Sequence, residues 1–92
     1  MKTFSLTEKE MIAARRLVQV CLHNMGGKRP SDLEQDEYTW VDISDIMCDF
    51  SRHEAAGLMS SLDLKGFIAK DGDWYVTTSG WRWMDTVWDV KA

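Results

Sequence analysis

The chain has 92 residues, of which 45% are hydrophobic and 28% charged, and its formal net charge is −4. This length suits one domain with a single modest core, and the composition is that of a soluble globular protein. It contains neither an apolar run of about 18 residues that would span a membrane nor an apolar leader, so we expect a cytoplasmic protein with no membrane partner.

The charged residues are distributed unevenly along the sequence. Seven of the 15 acidic residues lie between Pro30 and Ser51, and this segment contains none of the 11 Lys and Arg residues. We therefore expect a polarised molecule with one acidic face. The candidate members of that acidic face are Asp32, Glu34, Asp36, Glu37, Asp42, Asp45 and Asp49.

Thr7 and Glu10 have the spacing of a capping box, in which each side chain accepts a hydrogen bond from the other residue's backbone. They predict a first helix over about Glu8–Met25, where apolar residues recur at helical spacing and define one buried face. Gly26-Gly27 predicts the end of this helix, because glycine readily takes the left-handed conformation found there.

A polar loop and a short strand are expected next. The loop, Lys28–Glu37, contains the only proline and is expected to hold at most one helical turn, at Ser31–Gln35. Tyr38–Val41 is composed of strand-forming residues. It predicts a short strand that pairs with the edge of a later hairpin.

Two further capped helices are predicted in the middle of the chain. Asp42 and Asp45 form an acidic version of the capping box and predict a short second helix, roughly Ile43–Cys48. A full capping box at Ser51-Arg52-His53-Glu54 predicts a third helix that runs to Lys65-Gly66.

The last part of the chain predicts a hairpin followed by a helix. Asp71-Gly72 separates two strand-like runs, Phe67–Lys70 and Asp73–Thr77. Asp-Gly between such runs favours a type I′ turn, which needs positive φ at both central residues. Thr78-Ser79 is expected to cap a final helix from about Gly80 to Val90.

Helix, turn, helix and hairpin in this order resemble a winged helix. Leu58–Gly80 is similar to the third helix and wing of winged-helix regulators of the MarR type, in Leu62, Lys65-Gly66-Phe67-Ile68 and Thr77-Thr78-Ser79-Gly80. Asp42–Ile46 resembles the start of the family's second helix. The resemblance implies an α+β fold: a single winged-helix domain over residues 1–92, with a three-helix core, a small antiparallel β-hairpin wing and a C-terminal helix.

The resemblance also implies sequence-specific binding of double-stranded DNA by a small transcriptional regulator. In that family the third helix enters the major groove and the wing touches the DNA backbone. The DNA-binding candidates carried over are Ser51, Arg52, His53, Ala56, Gly57, Ser60 and Ser61 on the helix, Lys65 near the backbone, and Lys70 on the wing. This chain departs from the family in having few cations there, although phosphate neutralisation by Lys and Arg supplies most DNA affinity.

The acidic segment supports a second function of a different class. It could serve an acidic winged-helix protein-interaction module or inhibitor that mimics nucleic acid, captures a basic protein and does not bind DNA. A phage or mobile element is a plausible origin for a stand-alone domain of this size. The simpler explanation of the acids is helix capping and a solvated loop.

The final helix is rich in aromatic residues, which cover about half of its circumference. We expect part of that arc to form a homodimer seam or partner surface, with Trp81, Met84, Val87 and Trp88 as the candidates. The alternative is that these side chains fill the protein's own core.

The remaining residues and motifs do not indicate a disulfide, a metal or cofactor site, or a catalytic site. Cys21 and Cys48 are expected to be reduced core residues rather than a disulfide. Cys21 and His23 diverge on a helix, so no metal site is predicted, and no cofactor is expected. No phosphate loop, nucleophile triad or metalloprotease motif is present, so we do not expect an enzyme.

Overall fold

A computed structural model describes residues 2–33 and 39–89 of the chain. Over these ranges the predicted α+β class is confirmed, with three α-helices and a three-stranded antiparallel sheet. No helix in the described ranges is long and apolar enough to cross a membrane. The elements are α1 (Glu8–Met25), a 3-10 helix (Pro30–Asp32), β1 (Trp40–Val41), a second 3-10 helix (Ile43–Ile46), α2 (Arg52–Lys65), β2 (Ile68–Asp71), β3 (Asp73–Val76) and α3 (Thr78–Val87).

The first helix is confirmed with both of its ends. The Thr7 hydroxyl accepts from the Glu10 backbone at 3.2 Å, and the Glu10 carboxylate accepts from the Thr7 backbone at 2.7 Å. Gly26 ends the helix with a φ of 76°. The apolar face of α1 packs into the core through Ala13, Ala14, Leu17, Val18, Cys21 and Leu22.

The predicted second α-helix, Ile43–Cys48, is wrong. The acidic capping box is present, since Asp45 accepts from the Asp42 backbone at 2.7 Å, but it begins a four-residue 3-10 helix. So short a segment makes too few hydrogen bonds to offset the cost of starting an α-helix. The helical turn expected at Ser31–Gln35 is a 3-10 helix that begins at Pro30, and Gln35 lies outside the described residues.

The third predicted helix is confirmed as α2, although its capping box is only half correct. The Ser51 hydroxyl accepts from the Glu54 backbone at 3.2 Å. The Glu54 carboxylate binds mainly the Lys9 ammonium, at 2.7 Å, and Lys9 lowers the pKa of Glu54 more than the Ser51 backbone does. Gly66 ends α2 with a φ of 82°, as predicted.

The hairpin and its pairing with the early strand are confirmed. The strand order is β1-β3-β2, with Trp40 opposite Tyr75. The predicted type I′ turn is wrong, because Asp71 pairs with Asp73 and Gly72 alone has positive φ. Glycine takes this conformation without the steric penalty that Asp71 would meet. Tyr38, the predicted start of the first strand, lies outside the described residues.

The last helix begins two residues earlier than predicted, with Thr77 rather than Thr78-Ser79 as its cap. The Thr77 hydroxyl accepts from the Gly80 backbone at 3.0 Å and donates to the Gly66 carbonyl at 2.7 Å. It can therefore cap α3 and tie it to the end of α2 at once. Val90, the predicted last residue of the helix, lies outside the described residues.

An aromatic cluster anchors the extended N-terminal segment and α3 to the sheet. The ring centroids of Phe4 and Phe67 are 5.5 Å apart, and those of Phe4 and Trp83 are 5.4 Å apart, both in edge-to-face geometry. This geometry is the favoured one for aromatic pairs. Phe67 is fully buried, and Phe4 and Trp83 are nearly so.

Candidate nucleic-acid interface

The structure brings most of the predicted DNA-binding residues together on one side of α2. The inner side of this helix packs into the core through Ala55, Met59 and Leu62. Ser61 is half-buried at the border. Ser51, at the N-cap, is exposed beside the outer face of α2, which we define as Arg52, His53, Ala56, Gly57 and Ser60, all exposed.

Arg52 and His53 are the chargeable residues of this face. Within residues 2–33 and 39–89 neither side chain makes a hydrogen bond or an ion pair. Both are therefore available to a ligand. Ser51 is already engaged, because its oxygen accepts the capping bond from Glu54.

Gly57 has no structural explanation within the described residues. A Cβ added there would meet nothing within 4 Å, and the residue is not among the glycines with positive φ. Glycine inside a helix costs about 1 kcal/mol relative to alanine. Packing against α1 is therefore not the reason for this glycine, which leaves close approach of a partner or simple exposure to solvent.

Leu64 extends the same side of α2 and was missed at the sequence level. Its side chain is 89% exposed. The signal was present, because Leu64 is out of phase with the buried positions Met59 and Leu62 of the helix. It adds an apolar contact point at the C-terminal end of the outer face.

Lys65, a predicted phosphate contact, is instead part of the fold. Its ammonium donates to the Glu10 carboxylate at 2.6 Å and to the Ser5 carbonyl at 2.7 Å. Burial alone would raise the pKa of Glu10, but the hydrogen bonds from Lys65 and Thr7 outweigh it and hold the pKa below its ordinary value. Because Glu10 already neutralises this ammonium, Lys65 adds little net positive charge for a phosphate.

Lys70 is exposed on the hairpin, where its ammonium lies near both an aromatic ring and two carboxylates. Its ammonium lies 5.1 Å from the centroid of the Trp74 ring, a cation–π contact. The adjacent Asp71 and Asp73 are exposed and face each other across the strand pair. The hairpin therefore offers one cation to a phosphate and two carboxylates that repel it.

The described members of the acidic face each have a structural role. Asp32 accepts from the backbones of Lys28 at 2.7 Å and Arg29 at 3.1 Å, and these bonds lower its pKa. Hydrogen bonds from Ser44 lower the pKa of Asp42, and the bond from Arg16 at 3.0 Å lowers that of Asp49. Glu34, Asp36 and Glu37 lie outside the described residues.

Half of the predicted dimer surface is buried inside the protomer. Trp81 is 7% exposed and Met84 is fully buried, so both side chains serve the core. Val87 and Trp88 remain half-buried. Arg15 covers Trp88, with its guanidinium 4.4 Å from the ring centroid, and donates to the Trp88 carbonyl at 2.7 Å.

The two cysteines differ in their surroundings, and the expectation of two core thiols is wrong for one of them. Cys21 is buried, and burial raises the pKa of its thiol to about 12. Cys48 is exposed, because the 3-10 helix ends before it and Cys48 does not lie on the inner side of an α-helix as expected. Both are free thiols, and no group of three His, Cys, Asp or Glu side chains in the described ranges is placed to hold a metal ion.

Comparison with known proteins gives no match to a family model, to a curated protein or to a solved structure.

Proposed function

We propose that this chain is a small cytoplasmic winged-helix protein that binds double-stranded DNA as a transcriptional regulator. The observation that carries the proposal is the outer face of α2, where Arg52 and His53 have no partner among the described residues and stand among small side chains. The order of the elements supports it, because α2 is followed directly by the β2–β3 hairpin, as a recognition helix is followed by its wing.

The outer face of α2 has the chemistry that base recognition needs. An arginine donates two hydrogen bonds to the O6 and N7 atoms of guanine, a frequent specific contact in the major groove. Ala56, Gly57 and Ser60 add little bulk, so the helix backbone can approach the base edges closely. Lys70, which is exposed on the hairpin, would supply a phosphate contact.

The shortage of cations has a measurable consequence. Each neutralised phosphate adds about one unit to the slope of affinity against salt. With Lys70 as its main phosphate contact and Arg52 assigned to a base edge, the protein should have a shallow salt dependence, and Lys70→Ala should lower the slope by about one unit.

The proposal is tested by gel shift with a pool of random duplexes, at low salt and again near 200 mM salt. Over this range, affinity that depends on many phosphate contacts falls steeply. Selection of a common sequence that survives the higher salt is the expected result. A pool that shows no shift even at low salt would exclude the proposal.

A second candidate function is an acidic protein-interaction module that captures a basic protein. The specific observation that favours it is the hairpin, where the exposed Asp71 and Asp73 face each other beside a single lysine. Asp42, Asp45 and Asp49 add negative charge in the neighbouring segment. If this function is correct, a basic partner binds and loses affinity when these carboxylates are changed to amides, while Arg52→Ala has no effect on it.

A homodimer through α3 is the third element of the proposal. With Trp81 and Met84 in the core, the seam would consist of the half-buried Val87 and Trp88. Terminal helices provide such seams in many winged-helix proteins.

A further inference from the structure

The outward side of the sheet carries an aromatic pair. Side chains opposite each other in an antiparallel sheet share a face, as do side chains two positions apart on a strand. The pairing of Trp40 with Tyr75, and of Asp71 with Asp73, therefore places these four side chains on the same face. The ring centroids of Trp40 and Tyr75 are 5.4 Å apart, and Trp40 is 45% exposed.

Trp40 lies between two surface cavities in which every charged lining residue that the structure describes is acidic. The first has a volume of about 200 Å³, and the second has a volume of about 310 Å³. The first is lined by Thr39, Trp40, Asp71 and Tyr75, and the second by Val20, Asn24, Trp40, Val41, Asp42, Asp45 and Asp73. Four carboxylates thus surround one exposed indole, and no Lys, Arg or His from the described residues lines either cavity.

The placement of two of these carboxylates is unfavourable for the isolated protein. Asp71 and Asp73 are cross-strand partners, and like charges directly opposite each other destabilise a sheet. Within the described ranges no ion pair relieves them. A cation that entered between these carboxylates and Trp40 would remove this repulsion.

We propose that Trp40, Tyr75 and the carboxylates of Asp42, Asp45, Asp71 and Asp73 form a docking surface for an arginine-bearing segment of a basic partner protein. A guanidinium stacks on an aromatic face and donates hydrogen bonds to carboxylates in its own plane, so one arginine can use both features. This inference gives the second candidate function a site and a partner chemistry and rests on that function. It does not depend on DNA binding by α2.

The test uses a synthetic peptide in which arginines alternate with glycine and serine, titrated into the full chain by calorimetry. Matched peptides carry lysine or the neutral isostere citrulline in place of arginine. Trp40→Ala should weaken arginine-peptide binding about tenfold, through loss of the stacked cation. The double variant Asp71→Asn/Asp73→Asn should weaken arginine-peptide binding at least as much. This variant should fold, because it removes the repulsion between the two carboxylates. Asp63→Asn removes one exposed carboxylate on α2, away from the sheet, and as the control for single Asp73→Asn it should leave affinity within about twofold.

Each other outcome has a defined meaning. Equal loss in Asp63→Asn, or equal affinity for the lysine peptide, would show general charge attraction and overturn the docking surface. Arginine-peptide binding that ignores Trp40 and Asp73 but depends on Asp32 and Asp49 would also overturn it, while the second candidate function would stand. If the arginine peptide does not bind at all, the docking surface is overturned.

Discussion

The ion pair between Glu10 and Lys65 joins the first turn of α1 to the last turn of α2. The Glu10 side chain is only 6% exposed, whereas that of Lys65 is 37% exposed. Sequence could show Glu10 as half of a capping box but not as the partner of a lysine 55 positions away. Sequence therefore showed Lys65 only as a candidate phosphate contact, whereas the structure also gives it an ion pair within the fold.

Glu10→Gln should destabilise the protein by about 1–3 kcal/mol, because it removes a charged hydrogen bond and leaves Lys65 without its partner. The pKa of Glu10 is lowered in the folded state from an ordinary value of 4.5. Its stabilisation is therefore fully present above that pH and is lost as the pH falls through the folded-state pKa. Urea unfolding of both proteins between about pH 7 and pH 3 measures this difference, which should shrink toward acid pH.

Lys9→Met is the matched control for this measurement. Lys9 and Glu54 form a similar pair between α1 and α2, but their side chains are 65% and 43% exposed. Exposed pairs contribute little to stability. If Lys9→Met and Glu10→Gln destabilised equally, burial would not be the reason for the strength of the Glu10–Lys65 pair.

At the scale of elements, the features that sequence predicted well are those set by local chemistry. The caps at Thr7, Ser51 and Gly66 mark the ends of their helices as expected. The 3-10 helix at Ile43–Ile46 was mistaken for an α-helix because a capping box can begin either kind of helix. Only the short length of this segment distinguishes the two. The exposure of Trp40 was not predicted, because β1 is two residues long and its alternation with the buried Val41 offers little pattern to read.

Gly57→Ala should stabilise α2 by about 0.5–1 kcal/mol, because alanine costs less conformational entropy and its Cβ would lie within 4 Å of no described atom outside the neighbouring helix backbone. Thermal and urea unfolding measure this gain. If the outer face of α2 closely approaches DNA, the same variant should bind its duplex more weakly while being more stable.

The neighbouring Ala56→Gly is the control for Gly57→Ala, since it should destabilise α2 by a similar amount without adding bulk to the outer face. A Gly57→Ala variant that is more stable and binds with unchanged affinity would show that close approach at this position is not needed.

At the scale of the whole molecule, two surfaces of different character share one small fold. The outer face of α2 presents Arg52 and His53, whereas the outward side of the sheet presents Trp40 among carboxylates. Sequence identified the first surface through its helical spacing and family resemblance. It missed the second because Trp40 and Asp71 are brought together only by the pairing of β1 with β3.

Oligomeric state is a property of the whole molecule, and a single substitution in α3 can test it. Trp88→Asp should yield monomers in sedimentation velocity, because it places a charge in the proposed seam of α3. The ring of Trp88 also contacts Arg15, so circular dichroism must show that the variant is folded. A folded variant with the same mass as the wild type would contradict the dimer.

DNA binding by the outer face of α2 is tested most directly by titrating a selected duplex with three proteins: wild type, Arg52→Ala and Arg82→Ala. Both variants remove one exposed arginine, but Arg82 lies on α3, beside Trp81. We predict that Arg52→Ala loses about 1–3 kcal/mol of specific binding while Arg82→Ala binds like the wild type. Equal affinity of Arg52→Ala and the wild type would contradict the assignment of α2 as the DNA-binding element.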